Sequence, residues 1–322
     1  MTTAPPRAEW AHHQAVWIGF PSHAHLWLDD LAPARDEVVA FAAAVHAGGR
    51  GETVLLVAAD GEAAIAARAM APFAQIIVEP FGDIWLRDTG PIVLPHGRAR
   101  SFEFNGWGGK YDLPDDDTIG RRLAGERGLR LEACDWVLEG GAIDGDGTGT
   151  VVTTEQCLLN RNRNPGLGKA EIEARLANDL GFTRVVWLNE GLLNDHTDGH
   201  VDNLARFVGE GRVAIPEATD NDPNWLVYQR AKRDALAAGL EVVSIPSPGR
   251  VLRDEEIVPA SYMNFYIGNA AVVVPLYGAA NDDAAVASVQ ALFPDRVAVG
   301  LRADAILTGG GSFHCISQQV PG

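Results

Sequence analysis

The chain has 322 residues, 47% of them hydrophobic and 21% charged, the profile of an ordinary soluble globular protein long enough to bury a sizeable core. A formal net charge of −17 argues against nucleic acid, whose phosphates need a basic footprint, and mildly favours a cationic ligand through long-range steering. Three widely spaced cysteines (Cys134, Cys157, Cys315) argue against a disulfide framework and for a reducing, cytoplasmic compartment. Met1 to Trp10 lacks the basic start and apolar run of a signal peptide, and no window approaches a membrane span.

In chain order, Gln14 to Phe20 reads as a strand that ends at Pro21, and Leu31 to His46 as an alanine-rich helix stopped by Gly48-Gly49. Thr53 to Ala58 is a buried-type strand, Glu62 to Met70 a helix, and Gln75 to Glu79 another strand. A rhythm then sets in. Hairpins are predicted for Ile84–Leu94 with Ala99–Phe104, Ala142–Ile143 with Thr150–Thr154, Asn203–Val208 with Arg212–Ile215, and Tyr262–Ile267 with Ala271–Pro275. Each leads to a helix (Thr118–Gly125, Lys169–Leu180, Asn224–Ala238, Ala284–Leu292) and then to a strand (Arg130–Leu138, Thr183–Leu188, Leu240–Ile245, Arg296–Leu301). This is a ββαβ unit recurring roughly every fifty to sixty residues, close to the spacing of propeller-like repeats. The last strand, Phe313 to Val320, and the first, Gln14 to Phe20, both lack a partner. Their pairing would complete a fifth unit and close one α/β ring, a single domain over residues 1–322.

Four runs could carry chemistry, and they stand where strand begins hairpin in their respective units. They are Gly82 to Pro91 with Trp85 and Asp88, Leu138 to Gly141 with Glu139, Asp195 to Asn203 with His200 and Asp202, and Thr308 to Gln319 with Gly309-Gly310-Gly311 and Cys315. Equivalent points around a ring converge on its axis, so the four runs are expected to form one site. Three glycines let a ligand approach the backbone, and the thiol beside them is a candidate nucleophile. A planar guanidinium is recognised by carboxylates through paired charge-assisted hydrogen bonds, which Asp88, Glu139 and Asp202 would supply. On an extended segment His200 and Asp202 point to one side, whereas His314 points away from Cys315 and is not chosen as the base. A free thiol titrates at about 8.5; three carboxylates would raise that value and a bound cation would lower it, so ionisation of Cys315 is expected only with substrate in place. Strict alternation sets Trp85 and Asp88 on opposite faces, so the backbone must bend between them if both line the site.

Two patterns resemble metal sites. His196 and His200 have a two-histidine spacing with Asp198 and Asp202 nearby, but that spacing aligns imidazoles only in a helix, which Gly199 and the aspartates disfavour. Asp144, Asp146, Thr148, Gly149 and Glu155 fit a calcium loop loosely, but the β-branched Thr150–Thr154 makes this a hairpin turn. No metal is expected at either.

Taken together, the runs Trp85-Leu86-Arg87-Asp88-Thr89-Gly90-Pro91, Phe104 to Tyr111, Glu139-Gly140-Gly141, Thr153 to Asn160, Thr197 to Asn203 and Gly309 to Cys315 resemble the agmatine deiminase and bacterial-type peptidyl-arginine deiminase family. The resemblance implies a five-bladed α/β propeller (pentein) and a deiminase without metal or organic cofactor. It implies Cys315 as nucleophile, His200 with Glu139 handling protons, Asp88 and Asp202 gripping the guanidinium, and Trp85 and Gly310 lining the pocket. Agmatine is the implied substrate, a small cationic guanidine that suits an acidic protein, and a homodimer the implied assembly. Peptidyl-arginine or free arginine is the alternative; an amidinotransferase or a metal-dependent hydrolase are further ones. Ser312-Phe313 stands where agmatine enzymes commonly carry Asn-Ile, and Arg206 where they carry a small residue. Both departures bear on what holds the far end of the substrate, and Arg206 is a candidate partner for the carboxylate of free arginine.

Overall fold

The computed structural model describes residues 3–219 and 221–322. Among these residues the strands form five sheets of three or four strands and one two-stranded ribbon, Leu252–Arg253 with Glu256–Ile257. Four sheets share one plan, an antiparallel hairpin followed by a third strand parallel to its second strand. The helices Ile119–Glu126, Lys169–Leu180, Trp225–Ala237 and Asp282–Leu292 make the crossovers that parallel pairing requires. The expected ββαβ repeat is therefore present four times.

The fifth sheet joins the two ends of the chain. Ser317–Pro321 runs antiparallel to His13–Gly19, with Ser317 opposite Ile18 and Gln319 opposite Val16. Thr53–Ala58 and Gln75–Val78 then add in parallel, with Leu31–His46 and Gly61–Met70 as crossover helices. The apolar face of Leu31–His46 (Ala34, Val38, Phe41, Ala42 and Val45) follows the helical period and is fully buried. The helix ends where Ala47 turns left-handed ahead of Gly48 and Gly49. In the next helix Asp60 caps the start, its carboxylate accepting from the Ala63 N–H at 2.8 Å.

Elsewhere too the apolar core lies between sheet and helix, as where Ile172, Leu176 and Leu180 meet Ile92, Trp136 and Val151, or Tyr228, Ala231 and Ala235 meet Val213 and Ile215. No helix among the described residues is long and apolar enough to cross a membrane.

The structure corrects how the hairpins begin. The apolar run predicts strand from Ile84, but strand starts only at Ile92, and Leu86–Thr89 form a single helical turn. Gly140–Ala142, Val201–Asn203 and Tyr262–Asn264 are likewise single 3-10 turns ahead of Ile143, Arg206 and Tyr266. Cys315 also sits in a turn, with strand beginning at Ser317 and not at Phe313. A turn can direct consecutive polar residues toward one point, which the two-residue alternation of a strand cannot. The bend required between Trp85 and Asp88 is one such turn, closed by the Asp88 and Thr89 N–H groups on the Trp85 carbonyl at 3.0 and 3.2 Å.

Candidate active site

Each of the five turns delivers polar groups to the same buried centre. From the first, Asp88 accepts the Gly141 N–H on Oδ1 and the Trp107 indole N–H on Oδ2, both at 2.9 Å. Trp107 reaches it from a left-handed backbone (φ 53°) in a turn where the Asn105 side chain accepts from the Gly108 N–H at 2.9 Å. Arg87, beside Asp88, faces the other way and donates to Gln318 and Gln319 at 2.6 and 2.8 Å.

From the second turn comes Glu139, which is fully buried and accepts from Arg163 Nε at 2.8 Å. Arg163 is held in turn by the Thr197 carbonyl at 2.8 Å and by Asp198. From the third come His200, with Nδ1 3.7 Å from Asp88 Oδ1, and Asp202. The fourth supplies Asn264, whose Nδ2 donates to Cys315 Sγ at 3.1 Å and to Asn203 Oδ1 at 3.0 Å. The fifth supplies Cys315 itself, with Sγ 3.5 Å from Asp202 Oδ2.

A cavity of about 230 Å³ opens onto this centre. Trp85, Asp88, Gly310 and Cys315 line it together with Trp107, Tyr111 and Leu113, while Glu139, His200 and Asp202 are completely buried. All seven residues singled out from the sequence are thus at or around one cavity.

The glycines serve close packing more than mobility. A Cβ on Gly141 would lie 2.6 Å from His200 Nδ1 and 2.9 Å from Asp88 Oδ1, so only glycine lets these groups meet. Side chains on Gly309 and Gly311 would strike the Trp85 indole at 2.4 and 2.5 Å. Of the three consecutive glycines only Gly310, at φ +96°, needs glycine for its backbone conformation.

Burial, with Asp202 and Asp88 nearby, pushes the Cys315 thiol well above its ordinary range, and the hydrogen bond from Asn264 opposes this. Burial alone would lower the His200 imidazole, but Asp88, Cys157 and Glu139 outweigh it and hold His200 well above its ordinary value. Asp88 is raised, first by burial and then by Asp202 and Glu139 against the pull of His200. Asp202 is lowered despite burial, through the hydrogen bond and charge of His314. The thiol and the imidazole are thus both biased toward their protonated forms, and the carboxylates around them favour an incoming cation.

Several expectations are revised here. Arg206 is not a ligand for a substrate carboxylate. It is fully buried, with Nε on Asp144 Oδ2 at 2.5 Å, NH2 on Glu9 Oε1 at 2.9 Å, and the Phe265 carbonyl accepting from NH1 at 2.7 Å. Phe313 does not face the substrate either; it stacks on Phe41 in the core with ring centroids 4.9 Å apart. His196 stands at the rim, its Nδ1 3.1 Å from the Tyr111 hydroxyl. Asp146 folds the supposed calcium loop into a hairpin turn by accepting from the Thr148 and Thr150 N–H groups at 2.8 and 3.0 Å.

Among the described residues the potential metal donors that lie together are Glu139, Cys157 and His200, within 4.8 Å of one another. The Arg163 guanidinium on Glu139 places a positive charge against any cation there.

The sequence reading missed three contributors. Asn264 has no acidic or glycine-rich signature, and only its equivalence to the other turns (Ser261-Tyr262-Met263-Asn264 ahead of a hairpin) could have found it. Trp107 and Arg163 lie outside the repeated turns altogether.

The family model of Porphyromonas-type peptidyl-arginine deiminase matches residues 6–321. The chain belongs to this family. It is 40% identical to an agmatine deiminase of Stutzerimonas stutzeri (strain A1501), over 98% of this chain and 94% of that one. Among solved structures, the agmatine deiminase of Enterococcus faecalis caught catalysing its reaction superposes with a TM-score of 0.92 at 32% identity, covering 99% of this chain and 96% of that one. A substrate-bound agmatine deiminase of C. jejuni superposes with a TM-score of 0.89 at 28% identity, covering 99% and 96%. The fold is thus that of the five-bladed α/β proteins of this family.

Proposed function

We propose that the protein hydrolyses the guanidinium group of agmatine to N-carbamoylputrescine and ammonia through a covalent amidino-cysteine. The observation that carries this reading is that Cys315 and Asp88 line one cavity with His200 and Asp202 buried against them, Asp202 3.5 Å and Asn264 3.1 Å from the thiol. Asp88 and Asp202 offer anionic edges to the guanidinium, and the indoles of Trp85 and Trp107 line the pocket.

Binding of the cation displaces the Cys315 proton to solvent. The thiolate attacks the guanidinium carbon, and the tetrahedral adduct expels ammonia after His200 protonates the leaving nitrogen. Neutral His200 then takes a proton from water, which attacks the amidino carbon. The C–S bond breaks, the thiolate leaves, and the ureido product departs. Glu139, anchored by Arg163, is one of the groups that favour the imidazolium of His200 in the first half. No step requires a metal or organic cofactor.

The lining favours agmatine over free arginine. It includes Asp83 and no Arg or Lys, so an α-carboxylate would lack a cationic partner there. A homodimer and a reducing, cytoplasmic site of action complete the proposal; the second is in keeping with Cys134, Cys157 and Cys315 all being free thiols.

The test is ammonia release from agmatine, free arginine and a blocked arginine peptide, each with and without chelator. Chelator-resistant release from agmatine that is abolished in Cys315→Ala supports the reading. Release from the peptide or free arginine instead would keep the chemistry and overturn the substrate, and silence on all three would sink the deiminase.

A further inference from the structure

His314, next to the nucleophile in sequence, takes no part in the steps above, yet both its ring nitrogens are spoken for. Nδ1 lies 2.7 Å from Asp202 Oδ2, and Nε2 lies 2.8 Å from Glu9 Oε2. The ring is buried, and its backbone N–H donates to Asn264 Oδ1 at 3.0 Å. Glu9 and Asp202 are both held ionised: against burial, Glu9 is lowered by Arg206, His314 and Arg87, and Asp202 by His314. Carboxylates only accept, so each ring nitrogen donates to the acid it faces and the imidazole bridges the two.

The bridge has a far anchor. Glu9 Oε1 faces Arg206 NH2 at 2.9 Å and accepts the Ile267 N–H at 2.8 Å, while Glu9 Oε2 is 3.5 Å from Arg87 NH2. Arg206 is locked in turn by Asp144. These groups, with Tyr266 nearby, are the charged and titratable neighbours at the far end, while Asp202 at the near end faces Cys315, His200 and Asp88. At the near end only one oxygen of Asp202 is taken; Oδ1 has no partner among the described residues although it is buried. A buried carboxylate with one tethered and one free oxygen is oriented for a donor brought by a ligand.

We propose that His314 is a positioning residue for guanidinium capture: it tethers Asp202 by Oδ2, keeps Oδ1 free for the substrate, and carries that hold through Glu9 to the paired arginines behind the cavity. The inference rests on the deiminase reading for its kinetic consequence. Its structural content, the tether on Asp202, is measurable without substrate.

Two substitutions separate the two ends of the ring. Asn at this position can present a side-chain N–H where Nδ1 was, whereas Gln presents one where Nε2 was. His314→Gln should therefore lose the tether, raising KM for agmatine about tenfold or more, the effect of a lost hydrogen bond to a charged group. It should also move the acid limb of kcat/KM to higher pH, because Asp202 becomes easier to protonate. His314→Asn should recover most of both. Carbon-13 NMR of the Asp202 carboxyl, assigned through Asp202→Asn, should show its titration midpoint raised in His314→Gln and largely restored in His314→Asn.

Equal losses in the two variants, or an Asp202 midpoint that His314→Gln leaves unmoved, would overturn the tether. If the wild-type protein releases no ammonia from any guanidine, the deiminase reading fails while the carboxyl titration still decides the tether. Should the variants not fold, nitrogen-15 spectra of the wild-type imidazole decide: two ring N–H signals with slow exchange are expected, and a singly protonated ring would refute the bridge.

Discussion

Asn264 donates a side-chain N–H to Cys315 Sγ at 3.1 Å, and its carbonyl oxygen accepts from the backbone N–H groups of His314 and Cys315 at 3.0 and 3.3 Å. One amide thus fixes the turn that bears the thiol and faces the sulfur that the proposed mechanism ionises. A hydrogen bond to the charged form favours that form, and such a bond contributes about 1.5–3 kcal/mol. Asn264→Ala should therefore lower kcat about 10- to 100-fold and slow alkylation of Cys315 at a given pH. Asn264→Asp should be worse, since it sets a third carboxylate beside the sulfur, after Asp202 and Asp88. Unchanged alkylation in Asn264→Ala would show that the amide serves the turn alone.

In the proposed mechanism the raised thiol makes the nucleophile depend on its substrate. In the free protein burial and the charges of Asp202 and Asp88 keep Cys315 protonated well past neutrality. Iodoacetamide should thus inactivate the free protein quickly only in the alkaline range. The thiol ionisation that governs kcat should fall at lower pH, because the bound guanidinium offsets the carboxylates. Coincident pH profiles would contradict ionisation assisted by substrate.

Gly141 can be tested for its emptiness. Alanine there would thrust a methyl to within 2.6 Å of His200 Nδ1 and 2.9 Å of Asp88 Oδ1. Displacing reacting groups by about 1 Å costs on the order of 10²-fold, so Gly141→Ala should lose at least that much in kcat/KM. Gly61→Ala, where nothing lies within 4 Å, is the control and should be neutral or slightly stabilising.

The arginine-anchored acids set a pH dependence of stability. Burial opposes ionisation of Glu9, but Arg206, His314 and Arg87 outweigh it and hold Glu9 well below the usual carboxylate range. A depressed folded value means that the contribution is present above the unfolded value of about 4.3 and is lost as pH falls through the folded one. Glu9→Gln should therefore destabilise by roughly 3–5 kcal/mol at neutral pH, the cost of breaking a buried pair. Denaturant melts should show that gap narrowing in acid; a gap independent of pH would assign the loss to packing.

Much of this architecture is legible along the chain. The repeat of hairpin, helix and strand places each helix within a few residues of its observed span, as with Lys169–Leu180, because apolar periodicity is a local property. The unpaired first and last strands point to the closure that Ser317 opposite Ile18 makes real. The turns ahead of each hairpin are less legible. Ile84 to Leu94 is apolar enough to read as strand throughout, and alternation carries no signal for a single helical turn at its start. Arg206 is misread for a related reason. A lone arginine beside a motif looks available, and only its contacts with Asp144 and Glu9 reveal it as a structural cation.

What the sequence by itself determined is the class of fold, the repeat and the kinds of group on the axis, since these follow from short-range patterns and from residue chemistry. What only the tertiary structure decided is which groups touch. Glu9 and His314 are separated by most of the chain, as are Asp88 and His200 by more than one unit, and their pairing appears only when the ring closes. Ionisation follows contact: the thiol, the imidazole and the carboxylates take their protonation from burial and from neighbours brought by other units, and no local pattern encodes a distance.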